Sequence, residues 1–406
     1  MKRWLAPALP LLLLPFAACG GDDDVTNTPC AESCQGAGGA PGVGGCEPGG
    51  QAAGAAGAPA AGQPGVSRTV WLSGLQNPWD IAFLPGDEGA LVTERPGRFT
   101  LRRADGSAAP VAGPDDVLAR GEGGLMGLTV DPDFANNRLV YACFSHRGES
   151  NDNRVVRFRL SDDGARLEQR ADIITGMPYS TGRHSGCRLL FASDGFLYVG
   201  TGDAAQGVHP QSLQSLGGKT LRVTRDGEAA PGNPQVEGKD PRIFTYGHRN
   251  IQGLAEQAGT GRLYSGEHGP DVDDEINLIV ASTNYGWAPP PPYDESVPMT
   301  DREAFPDAMP AAWSSGRPTT ALSGIAFLRG EAWRDWDGVL VGAELKNRRL
   351  RLLRLDATGT QASELRVLCA EQAVRLRTPV LGPDGALYVA TDAKPGGDEI
   401  WRLAPR

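Results

Sequence analysis

Six times along the chain one phrase returns, a polar turn followed by alternating apolar residues. The copies are DEGALVTE near Leu91, NNRLVYA near Val140, SDGFLYVG near Tyr198, GTGRLYSG near Tyr264, WDGVLVGA near Leu340 and PDGALYVA near Tyr388. Alternation with period two is the pattern of a β-strand, and the Asp-Gly type of entry marks a tight turn leading into it. Successive copies lie between 48 residues (Leu340 to Tyr388) and 76 residues (Tyr264 to Leu340) apart. That spacing is too long for neighbouring strands of a hairpin and suits one four-stranded unit per copy. A large sandwich would place turns every 8–12 residues or so without one phrase returning. The expected fold is therefore all-β, a six-bladed β-propeller of four-stranded antiparallel blades.

The first residues, MKRWLAPALPLLLLPFAACGGDDD, carry two basic residues and then an apolar run from Trp4 to Ala18. The run is short for a membrane span and ends in small residues, as a secretory signal does. Pro7, Pro10 and Pro15 oppose the other reading, a buried helix. The ending FAAC resembles a bacterial lipobox, with Cys19 as the lipidated first residue of the mature protein and Phe16 where Leu is usual. Residues 1–18 are thus expected to be a lipoprotein signal peptide. Residues 19–66 are mostly Gly, Ala and Pro, cannot bury enough apolar surface to offset their ordering entropy, and are expected to be a flexible tether. Residues 67–406 remain for the propeller. The chain would be exported and would meet a membrane only through its lipid, on the periplasmic or cell-surface side of the envelope. A net charge of −10 with no basic stripe argues against a nucleic-acid partner. The seven cysteines show no spacing that dictates a pairing, and none is assigned.

A propeller gathers loops from every blade around one end of its channel, so residues distant in sequence can meet there. His184 precedes a strand and Asp203 follows the hairpin it opens; the pair reads either as a histidine base held by a carboxylate or as an ordinary polar turn. Arg249 and Asn250 in YGHRN offer a permanent cation and an amide donor for developing negative charge. Lys346 falls in a strand-like run, where an inward-facing lysine needs a partner. Arg375 and Arg377, at period two, share one side of a strand; they suit either a ligand with several carboxylates or the solvent face of an edge strand. Asp271, Asp273, Asp274 and Glu275 crowd a loop beside Gly269 and Pro270, a hard oxygen-rich set suited to Ca2+ or a plain acidic turn.

Taken together, NPWDIAFLPG…LVTERPGRF, GEGGLMGLTVDPDF, HSGCRLLF, LGGKTLRV, YGHRNIQGLA, EHGPDVDDEINLI…NYGW and TALSGIAF resemble the soluble quinoprotein sugar dehydrogenases of the glucose/sorbosone and aldose sugar dehydrogenase type. The resemblance implies a six-bladed propeller that binds pyrroloquinoline quinone (PQQ) and Ca2+ and oxidises aldoses at C1 to lactones, passing electrons to an external acceptor. It implies His184 as the catalytic base with Asp203 as its partner, and Arg249 and Asn250 at the quinone carbonyls. Lys346, Arg375 and Arg377 would hold the cofactor's carboxylates and edge. The carbonyls of Gly269 and Pro270 would take the cofactor's Ca2+, Asp274 lies within the same acidic metal loop, and Glu275 and Tyr285 would take a second, structural Ca2+. Glu122 stands where glucose-specific relatives carry a cofactor-contacting glutamine, so its carboxylate has to be protonated or paired with a cation. RLRTP lacks the Asp that often follows the arginine pair, and GAELK is one residue longer than usual, which displaces Lys346. The competing reading is a cell-surface propeller that binds carbohydrate or protein through a decayed quinone site.

Overall fold

The computed structural model describes residues 44–46, 48–49, 62–393 and 396–406. The signal peptide, Cys19 and most of the expected tether lie outside them. Six sheets appear, each with a four-stranded antiparallel meander, as expected. Blade 1 begins with Pro78–Leu84, blade 2 with Leu125–Val130, blade 3 with Gly186–Phe191, blade 4 with Ile251–Gln257, blade 5 with Leu322–Phe327 and blade 6 with Leu376–Leu381. These first strands contact one another in sequence, and that of blade 6 returns to that of blade 1, which closes the ring. The fourth strand of blade 6 is supplied by the start of the domain: Val66–Leu75 pairs antiparallel with Asp398–Pro405. The two ends of the domain are thereby joined by a ladder of backbone hydrogen bonds.

Every one of the six recurring phrases is the second strand of its blade: Gly89–Glu94, Leu139–His146, Leu197–Thr201, Arg262–Glu267, Leu340–Glu344 and Leu387–Thr391. They are almost wholly buried, because each blade is covered on both faces by its neighbours. Accordingly there is no single core. Each apolar cluster fills the space between two blades. Leu91, Phe99, Leu128 and Phe144 lie between blades 1 and 2, and Leu72, Ile81, Val92 and Tyr388 seal blade 6 against blade 1. Burying each such side chain stabilises by about 1.5–3 kcal/mol. The turn aspartates have their own work: Asp194 and Asp384 each accept from the tyrosine of their strand, Tyr198 and Tyr388 (both 3.0 Å). The same two carboxylates also accept from Arg222 (2.9 Å) and Arg402 (2.8 Å) on the third strand. One device thus fixes the register in two blades.

Two disulfides are present among the described residues. Cys143 and Cys187 join blade 2 to the first strand of blade 3. Cys46 joins Cys369, 323 residues later. Gly44–Gly45 pairs with Val66–Leu75, and Pro48–Gly49 with Ala362–Leu368. Part of the stretch read as a tether is therefore strapped to the outer edges of blades 5 and 6. No described helix is long and apolar enough to cross a membrane.

Candidate active site

An antiparallel meander puts the entry of each first strand and the exit of each second strand at the same end of the propeller. His184, the His248–Asn250 loop, Glu122 and Arg375 precede first strands; Asp203, His268, Lys346, Asp392 and Arg95 follow second strands. Topology alone collects all of them at one end. How closely they approach depends on particular backbone features. A Cβ at Gly202 would lie 1.9 Å from the carbonyl oxygen of His184, so glycine is what lets the Asp203 turn come up beside the histidine. His184 itself sits at φ +51°, a left-handed conformation unusual outside glycine. It is held there by Glu122, whose carboxylate accepts the His184 N–H at 3.1 Å.

His184 Nδ1 is 2.9 Å from Asp203 Oδ1, and both residues are buried. Asp203 also accepts from Trp287 Nε1 at 2.7 Å, Tyr293 Oη at 2.6 Å and the Ala205 N–H at 2.8 Å. Burial pushes this carboxyl's pKa up, but the His184 imidazole, Arg249 and the Tyr293 hydroxyl outweigh it, and the net shift is downward. Asp203 is therefore an anion at neutral pH. Among the described residues Nε2 of His184 has no hydrogen-bond partner.

Arg249 lies beside this pair. Its Nη1 donates to the His268 carbonyl at 2.9 Å, its Nε and Nη2 approach Glu295 at 3.2 and 2.5 Å, and its guanidinium lies over the Trp287 ring at 5.6 Å. Asn250 donates to Glu122 at 3.2 Å and accepts the Gly186 N–H at 3.0 Å. Burial raises the Glu122 carboxyl, yet His184, His268 and Arg249 outweigh it and hold the group below its ordinary value. Glu122 is therefore an anion that accepts from the His184 N–H and from Asn250, with the Arg249 charge nearby favouring it. His248 is fully buried, bonded to Glu267 at 2.6 Å and to Thr245 at 2.8 Å, and stacked on Tyr285. It supports the loop and does not face the site.

Across the channel mouth, Arg377 binds Asp392 at 2.5 Å, and Arg375 stands 3.9 Å from the same carboxylate. The Asp missing from RLRTP is therefore supplied in space by the next strand's exit. Arg95 completes this rim. Its guanidinium pKa is lowered, first by burial and then by Arg377, as Asp392 and Glu122 oppose. Three guanidinium groups crowded together favour an anionic ligand. Lys346 reaches the same end of the ring but lies exposed in a turn, without a side-chain hydrogen bond or ion pair among the described residues.

The metal loop differs from expectation. Asp274 accepts from the N–H groups of Gly269 (2.9 Å), Thr320 (2.6 Å) and Leu322 (3.1 Å), and from the hydroxyls of Thr319 (2.5 Å) and Thr320 (2.8 Å). A carboxylate filled by five donors has no lone pair to offer, so Asp274 ties blade 4 to blade 5 and is not a side-chain metal ligand. Tyr285 likewise donates its hydroxyl to Leu278 O at 2.5 Å and accepts from Val280 N–H at 3.1 Å, leaving only its carbonyl for a cation. No cluster of three or more ligating side chains occurs among the described residues. The Gly269 and Pro270 carbonyls accept no hydrogen bond there. Glu275 is pushed up to about 8, by burial and then by Glu267, so that it is protonated at neutral pH unless a cation is nearby. Asp274→Ala is expected to lower unfolding free energy by on the order of 3 kcal/mol or more, because several buried donors lose their acceptor. Urea unfolding would show the same loss with and without calcium chelator. A loss that vanishes when calcium is removed from both proteins would return Asp274 to the metal set.

Five contributors escape a reading of single segments: Arg95, Trp287, Tyr293, Glu295 and Asp392. Asp392 left a signal, since LYVATD repeats the LYVGTGD that carries Asp203. Tyr293 and Glu295 left none, in a proline-rich loop without periodicity.

The sequence profile described as glucose/sorbosone dehydrogenase matches residues 75–402. The chain is 33% identical over 359 residues to the aldose sugar dehydrogenase YliI of Escherichia coli K12, covering 84% of this chain and 93% of that one. It is 32% identical over 250 residues to quinoprotein glucose dehydrogenase B of Acinetobacter calcoaceticus, over 54% of this chain and 52% of that one. Among solved structures it is similar to the PQQ-bound form of aldose sugar dehydrogenase from Streptomyces coelicolor. That similarity has a TM-score of 0.70 and 33% identity, over 84% of this chain and 98% of that one. Profile, relatives and fold agree, and the chain belongs to the glucose/sorbosone dehydrogenase family.

Proposed function

We propose that the protein is a PQQ- and calcium-dependent aldose dehydrogenase that oxidises sugars at C1 to lactones and passes the electrons to an external acceptor. The observation that carries this reading is His184 held on Asp203, with Nε2 unpartnered and Arg249 and Asn250 alongside. The donor set suits the cofactor: Arg95, Arg375 and Arg377 match a ligand bearing several carboxylates, and the orphaned, buried Nε2 of His268 marks polar space within the same cluster. When bound, PQQ supplies a two-electron acceptor for the C1 hydride. The residues do the rest. His184 Nε2 takes the proton of the anomeric hydroxyl, Asp203 stabilises the resulting imidazolium, and Arg249 with Asn250 stabilises oxygen that gains charge. Carbonyls of Gly269 and Pro270 would hold Ca2+ at the cofactor, and Lys346 lies at the same rim as a further cation.

Glu122 favours this over a binding module with a decayed site, because its carboxylate is engaged by the His184 N–H and Asn250, with the Arg249 charge nearby, and does not stand free toward a triacid. Cys19 would anchor the exported protein to the envelope through lipid. Titration of the apo-protein with PQQ, with added Ca2+, is expected to give saturable binding by absorbance, followed by aldose-dependent dye reduction. Absence of saturable binding, or of reduction with any of a broad aldose panel, would sink the reading.

A further inference from the structure

We propose that Tyr293 is a positioning residue for His184, carried into the site by a strap, residues 288–299, which Glu295 latches to Arg249. The inference rests on the proposed role of His184 as a base. It adds a residue and a device that no local pattern in the chain signals.

Tyr293 Oη is 2.6 Å from Asp203 Oδ2 and 3.0 Å from His184 Nδ1. Burial, and next the Asp203 charge, push the phenol's pKa upward, so it keeps its proton. The proton goes to the carboxylate, because Asp203 is an acceptor only. The phenol oxygen is then left with lone pairs toward Nδ1. Both neighbours of Nδ1, Asp203 Oδ1 and Tyr293 Oη, are thus acceptors, and Nδ1 must carry the hydrogen. Nε2 is accordingly the basic nitrogen. Asp203 alone would favour that tautomer. The second acceptor, on a different loop, also fixes the ring plane, as a single bond would allow the imidazole to swing about it.

The strap is held against resistance. Tyr293 adopts φ +120°, which a residue with a Cβ rarely takes. Two anchors keep it there: Tyr293 on His184 and Asp203, and Glu295 bridging Arg249 and Arg183, the latter at 3.0 Å. The titratable groups that interact with His184 are then Glu122, Asp203, Tyr293 and Glu295, with the Arg249 charge acting on Asp203 and Glu295. Because Glu295 binds the same arginine that the proposed reaction uses, strap closure and the orientation of the base are linked through one side chain.

The test uses the apo-protein and needs no cofactor. With only five histidines in the chain, the imidazole N–H protons are resolvable by NMR. The His184 Nδ1–H signal, assigned by its loss in His184→Asn, is expected to move in Tyr293→Phe. That of His248, bonded to Glu267 at 2.6 Å, serves as a fixed reference. Glu295→Gln should move the His184 signal in the same direction by a smaller amount. In the loaded enzyme Tyr293→Phe should lower kcat roughly tenfold with KM within about twofold. A His184 signal unmoved in Tyr293→Phe, or one that moves together with that of His248, overturns the proposal whatever the turnover. Failure of wild-type turnover would overturn the proposed function and leave the NMR measurement standing.

Discussion

His184→Asn is expected to lower aldose-dependent dye reduction by on the order of a thousandfold, the scale of a lost general base. Asparagine is the informative replacement because it tolerates the left-handed backbone that residue 184 adopts at φ +51° and keeps a polar end toward Asp203. The fold and the cofactor rim should therefore survive. PQQ affinity, measured by titration, should stay within a few-fold of wild type, since Arg95, Arg375 and Arg377 are untouched. This separates a chemical defect from a binding defect. Turnover within tenfold of wild type would place the base elsewhere in the site.

The second large effect concerns the floor beneath that site. Arg188, on the first strand of blade 3, crosses the centre of the ring. It pairs with Asp80 of blade 1 at 2.7 Å, donates to Gln252 O of blade 4 at 2.7 Å and to Thr378 of blade 6 at 3.0 Å, and lies over the Trp79 ring at 4.1 Å. Four blades thus share one buried guanidinium. Burial pushes the Asp80 carboxyl up, although Arg188 and the N–H groups of Leu128 and Ile81 pull against it. The net rise says that burial disfavours the charge even with Arg188 present, and that it would be disfavoured further without it. Arg188→Met is expected to lower stability by about 3–5 kcal/mol, the usual result of stranding one member of a buried pair. Asp80→Asn in that background should recover part of the loss, because it removes the stranded charge and leaves a carbonyl for one N–H. The sign of the pH dependence follows. Arg188 lowers the folded pKa of Asp80, so its loss raises that pKa above the wild-type one. The folded variant then binds more protons than the folded wild type, and its deficit should shrink as pH falls from neutral through the variant's folded pKa. Urea unfolding of the three proteins at two pH values decides it. A single variant that loses less than about 1 kcal/mol would mean that the plug bears no weight.

Both predictions depend on residues of very different legibility. His184 and Asp203 flank one hairpin, so their meeting was readable from the chain. Arg188 sits in GCRLLF and looks like any strand residue until the ring closes around it. Arg375 and Arg377 were visible as a pair, but their counter-ion, Asp392, comes from the end of the next strand. Asp274 looked like a metal ligand because acidic composition says nothing about how many donors surround a carboxylate. The Cys46–Cys369 bond joins residues 323 apart and could not be read from spacing.

What the chain determined by itself is whatever repeats locally: period-two strands, tight turns, and one phrase per blade, which set the blade number and the end on which the loops gather. These depend on residues only a few positions apart, where backbone sterics and apolar alternation act directly. What only the tertiary structure decided is which charges meet across the channel, which donors fill which carboxylate, and that Tyr293 and Glu295 of an aperiodic loop reach His184 and Arg249. Those contacts are set by ring closure and by packing between blades, and sub-ångström differences in approach separate a ligand from a hydrogen-bond acceptor.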